Sequence, residues 1–90
     1  MRAKRLQDLQ EGWRARLARH RSLGLLFRLA DSLFETPILT IPQAQSLLGV
    51  AYNTAKVNID KLGAAGILRQ KGESPYEKTF YAPDIWEIIA

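Results

Sequence analysis

Apolar positions recur along this chain at helical spacing in successive stretches, then give way to short runs of strand formers near the end. Over residues 2–19, Leu6, Leu9, Trp13 and Leu17 fall on one side of a helix, with charged residues elsewhere. Gly12 lies inside that span and costs about 1 kcal/mol against alanine, which makes it the weakest point of this helix, where it could break. A second helix is predicted over residues 23–34, with Ser22 as N-cap. Leu26, Leu29, Ala30, Leu33 and Phe34 form its core stripe. Pro37 disfavours helix at Thr36 and ends the element.

Residues 40–68 read as two short helices around a glycine turn. Thr40 and Gln43 stand in capping-box order, and Pro42 falls in the first turn, where its missing N–H has no helical partner to lose. With no donor on Pro42, the Thr40 hydroxyl is left to take the N–H of Gln43. Ile41, Ala44, Leu47 and Leu48 share one face. Gly49 can take positive φ and stop the helix. Beyond it, Ala55, Ile59 and Leu62 give a second helix its own stripe. So tight a turn forces the two helices to cross steeply, as in a helix-turn-helix.

Gly66 suits the position just past that second helix. Residues 67–71 read as a strand, Gly72, Glu73, Ser74 and Pro75 as a turn, and residues 79–82, preceded by Tyr76, as the returning strand. Phe80 and Tyr81 are most simply strand residues. Pro83 ends the strand and Asp84 can cap a last helical turn. Ile85, Trp86, Ile88 and Ile89 then read as an apolar packing cap. The expected fold is mainly α with a small β-hairpin: a winged helix-turn-helix over residues 22–90, preceded by a basic amphipathic helical extension over residues 1–21.

Ninety residues with 47% hydrophobic content fit one small core. The absence of cysteine removes disulfides and thiolate metal sites, and a single histidine, His20, argues against a histidine metal site. No apolar run approaches the roughly 20 residues of a membrane span. The polar start fits no secretory signal, and Asp8 and Glu11 count against a transit peptide. A cytoplasmic protein without cofactor, metal or membrane partner is expected. The net charge of +4 is unevenly placed. Residues 1–31 hold eight basic residues (Arg2, Lys4, Arg5, Arg14, Arg16, Arg19, Arg21 and Arg28) against Asp8, Glu11 and Asp31, which is +5. Residues 32–90 hold Lys56, Lys61, Arg69, Lys71 and Lys78 against Glu35, Asp60, Glu73, Glu77, Asp84 and Glu87, which is −1. The helix-turn-helix therefore lies outside the basic part.

If the motif reads duplex DNA, its second helix enters the major groove. Asn53, Val57, Asp60 and Lys61 then lie opposite the core stripe, with Thr54 and Lys56 at its sides. Asn53 can pair with adenine and Thr54 with a base edge or phosphate. Lys56 and Lys61 can meet phosphate, while Arg69, Lys71 and Lys78 let the wing grip the backbone. Asp60, Glu73 and Glu77 oppose that use, and the bland reading is a solvated helix face beside an ordinary hairpin. Leu6, Leu9, Trp13 and Leu17 are expected to contact a neighbouring domain or another subunit, with the arginines facing water. Lying on an anionic membrane or tracking phosphate are the other uses of such a helix.

The residue order adds a resemblance. Leu33-Phe34-Glu35-Thr36-Pro37 runs into Leu39-Thr40-Ile41, Gly49-Val50-Ala51-Tyr52-Asn53-Thr54-Ala55 opens the second motif helix, and Phe80-Tyr81-Ala82-Pro83-Asp84-Ile85 closes the chain. In this order the chain resembles the C-terminal winged-helix region of Fic (filamentation induced by cAMP) proteins, over roughly residues 6–89. Ala51 departs from it, standing where similar motifs commonly carry a capping serine. There Asn53 or Thr54 is expected to cap one turn later. Gln45 departs where a small residue is common. The resemblance implies an upstream domain, with a His-Pro-Phe-x-x-Gly-Asn-Gly-x-x-Arg type motif, that transfers AMP or another phosphate-containing group to hydroxyl side chains of target proteins. None of that motif is present here, and no nucleophile–base pair or phosphate loop stands in for it. The chain itself is thus expected to be no enzyme. Its expected role is an accessory protein-interaction, dimerisation or regulatory module. The implied partners are the upstream Fic catalytic domain and a second copy as homodimer, with double-stranded DNA as the partner in the alternative reading.

Overall fold

The computed structural model describes residues 2–18, 23–71 and 78–89. The proposed Ser22 cap, His20, the turn at 72–75, Tyr76 and Glu77 lie outside them. Eight elements follow in order: α1 (Arg2–Leu17), α2 (Leu23–Ser32), β1 (Ile38–Thr40), α3 (Ile41–Leu48), α4 (Tyr52–Ala64), β2 (Arg69–Lys71), β3 (Thr79–Tyr81) and α5 (Pro83–Ile89). The three strands form one antiparallel sheet in the order β1-β3-β2. This is a winged helix-turn-helix with a helix before and a helix after it.

α1 runs unbroken through Gly12, which is exposed and has open space around it. No break occurs at Gly12, because the apolar stripe on either side of it packs on the same core. Trp13 and Leu17 are fully buried there, and Leu6 and Leu9 pack against its edge. The Trp13 ring meets Phe34 with centroids 4.9 Å apart and planes tilted by 48°, a favourable offset geometry. α1 lies against α2 and α5.

α2 ends at Ser32, two residues earlier than its spacing suggests. The Ser32 hydroxyl donates to the Leu29 carbonyl at 2.6 Å, a local bond that competes with helix continuation. Leu33, Phe34 and Glu35 then bond back three residues, tightening the last turn before Pro37.

At α3 the capping box forms as its order predicts. The Gln43 N–H donates to Thr40 Oγ1 at 3.3 Å, and the Thr40 N–H donates to Gln43 Oε1 at 3.0 Å. Gly49 closes the helix at φ +65°, with its N–H on the Gln45 carbonyl at 2.9 Å. α4 ends in a Schellman arrangement around Gly66 at φ +78°. The Ile67 N–H reaches the Leu62 carbonyl and the Gly66 N–H the Gly63 carbonyl, both at 3.0 Å. That turn drops Ile67 and Leu68 into the core before β2 starts at Arg69.

β1 was not anticipated by the hydrophobic pattern. Its three residues pair as Ile38 with Tyr81, Leu39 with Phe80 and Thr40 with Thr79. The Ala82 N–H extends the ladder to the Pro37 carbonyl at 3.0 Å. Alternation places Leu39 and Phe80 toward the core. Pro83 both ends β3 and opens α5, so Asp84 sits inside the first turn and is not the cap.

Candidate protein and nucleic-acid interface

α4 buries Ala55, Asn58, Ile59 and Leu62, which turns the opposite side outward. Asn53, Thr54, Lys56, Val57 and Asp60 are exposed, and Lys61 is half-buried. Val57 stands near the middle of this outward side and is 49% exposed, with Lys56 and Asp60 of opposite sign close by in sequence. At the start of the helix Tyr52 is equally exposed. The α4 face is therefore mixed in charge and partly apolar, where a groove-reading helix would be basic and polar.

The N-cap of α4 is Ala51, extended at φ −69° and ψ 160°, with no side-chain capping bond. Asn53 and Thr54 lie within the helix and do not cap it, contrary to expectation. Their backbone is already helical, and a cap must sit at the non-helical residue before the first turn. The first turn contains no acidic residue, so its N–H groups face outward uncompensated by a carboxylate.

Asn58 also lies on the core stripe, three residues after Ala55 and four before Leu62, where its polarity hides it from a hydrophobic pattern. It is 2% exposed, and its Nδ2 donates to the Thr54 carbonyl at 2.8 Å. Oδ1 has no partner among the described residues.

The wing cations are separate from α4 in sequence but close to one another. Arg69 and Lys71 alternate onto one face of β2, opposite Tyr81 and Thr79 of β3. Lys78 immediately precedes Thr79, and all three cations are exposed. Trp86, expected only as packing, is 39% exposed and lines an open groove with Gln70, Lys71 and Tyr81. Ile85 is the α5 residue that fills the core.

The apolar stripe of α1 meets the winged-helix part of the same chain. Trp13 and Leu17 are sealed under α2 and α5, and Leu6 and Leu9 pack, half-buried, against the edge of the same core. Several of the basic residues from the first 31 positions are likewise committed. Arg14 pairs with Asp31 at 2.9 Å and lies over the Phe27 ring at 4.8 Å. Gln10 holds the other Asp31 oxygen at 2.9 Å. Arg28 donates to the Leu47 carbonyl at 2.9 Å, and Arg16 to the Ala65 carbonyl at 3.4 Å. The guanidinium groups of Arg16 and Arg28 close helix C-termini, where cations are favoured.

Among the described residues no helix is long and apolar enough to cross a membrane, and no three His, Asp or Glu side chains cluster as metal ligands. No family model, curated protein or solved structure matches this chain.

Proposed function

We propose that the chain is a non-catalytic winged-helix module of a Fic-type protein. In this reading it works in the cytoplasm as a protein-interaction, dimerisation or regulatory surface beside an AMP-transferring domain. The family part rests on the residue order at 33–41, 49–55 and 80–88. The protein-binding part rests on one observation: half-exposed Val57 near the centre of the outward side of α4, flanked by Lys56 and Asp60. Such a surface gains from covering apolar area, whereas phosphate would be repelled by Asp60 and left unmatched by Val57.

A second reading, duplex DNA binding, is favoured by a different observation. The first turn of α4 has neither a side-chain cap nor an acid, and Arg69, Lys71 and Lys78 are exposed on the wing strands. Fluorescence anisotropy of labelled duplex DNA at low and high salt separates the two. The protein-binding reading expects weak binding that differs little when Arg69, Lys71 and Lys78 are all changed to glutamate. Micromolar or tighter binding that falls steeply with salt and vanishes in the triple variant would establish the DNA role instead.

A further inference from the structure

We propose that the groove between the β2–β3 pair and α5 is a docking site for an extended acidic peptide segment of a partner protein. The groove is open, about 450 Å³, and is lined by Gln70, Lys71, Tyr81 and Trp86. Two aromatic rings and one ammonium make its chemistry, and no carboxylate is among those lining residues. An aromatic or aliphatic side chain resting on Trp86 and Tyr81 covers Trp86, the largest side chain among the exposed apolar residues described. A neighbouring aspartate or glutamate then meets Lys71 in a charge-assisted hydrogen bond, with Arg69 on the same face of β2 to take a second. The complementary charge is what selects an acidic partner over a basic one.

Single-stranded nucleic acid also combines stacking with anionic charge, but the surroundings disfavour it. Asp84 and Glu87 stand on α5 to either side of Trp86, and Glu87 is exposed. A phosphate chain carries charge at every step and would have to pass them. A peptide can place one carboxylate at Lys71 and nothing charged near Glu87. The site is distinct from the outward side of α4, so neither reading depends on the other.

The protein carries its own reporter for the test. Trp13 is 1% exposed and Trp86 39%, so acrylamide quenching reads Trp86 alone. The probe is a short synthetic peptide with one aspartate beside one phenylalanine in an otherwise uncharged sequence, titrated against the whole chain. Its companions are the same peptide with asparagine for aspartate, and oligothymidylate. Saturable protection of Trp86 by the acidic peptide is expected, about tenfold weaker for the asparagine version and for Lys71→Glu, as one charge-assisted contact requires. Trp86→Ala should abolish binding of a fluorescein-labelled acidic peptide while the far-ultraviolet circular dichroism stays unchanged. Val57→Ser should leave it intact. No protection by the acidic peptide, equal protection by the asparagine peptide, indifference to Lys71→Glu, or tighter binding of oligothymidylate would each overturn the proposal.

Discussion

Trp13 is buried to 1% and stacked on Phe34, so its ring joins the first helix to the end of the second. Trp13→Ala should cost about 3–5 kcal/mol in a urea titration, through lost burial and the cavity left behind. Trp13→Phe should cost clearly less, since it keeps a ring and removes an indole N–H that has no partner among the described residues. Gly49 presents a different kind of constraint. A Cβ there would meet nothing within 4 Å, yet φ is +65°. Gly49→Ala should therefore cost about 1–2 kcal/mol from backbone conformation alone, with no packing defect. Thr40, Gly49 and Gly66 were legible in the sequence because caps and left-handed turns are set by neighbours a few residues away. Asn58 was not, since its burial depends on a bond to the Thr54 carbonyl that polarity alone conceals.

At the scale of elements, the two motif helices differ in how they begin. α3 starts with a complete capping box, whereas α4 starts from Ala51 with none. Thr40→Ala should lower stability by about 1 kcal/mol, and Ala51→Ser should raise it by a similar amount. Thermal unfolding of the two single variants and the double variant checks both, and their effects should add. The backbone at Ala51 is already extended, so serine needs no rearrangement to cap. Helices with a long stripe were readable from spacing alone. β1 escaped because three residues carry no periodic signal, and its pairing with β3 bridges some forty positions of chain. α2 ends two residues short of its stripe, where the Ser32 hydroxyl bonds the Leu29 carbonyl and the last turn tightens ahead of Pro37.

For the molecule as a whole, α1 belongs to the core. Deleting residues 2–18 removes Trp13 and Leu17 and uncovers the apolar sides of α2 and α5. The shortened chain should keep much of its helical circular dichroism but lose its cooperative unfolding transition and bind the dye ANS. A sharp transition at the full-length midpoint would show that α1 is dispensable. The excess positive charge, which invited a nucleic-acid reading, is partly consumed in the same way. Arg14, Arg16 and Arg28 hold helix ends and a carboxylate, something no count of charges can reveal. The choice between the α4 face and the wing cations was open in the sequence for a related reason. Function there depends on which side chains remain uncovered after folding.

The meeting of α1 with α5 also sets a timetable. α1 is made well before α5 and is completed by it, because Ile85 supplies part of the same core as Trp13 and Leu17. At about 5–20 residues per second, synthesis separates those arrivals by several seconds. Throughout that interval the indole of Trp13 lacks its final cover, and a product released before α5 never acquires it. Chains cut short before α5 would present an apolar seam to chaperones and proteases, so α5 is the element that closes this core.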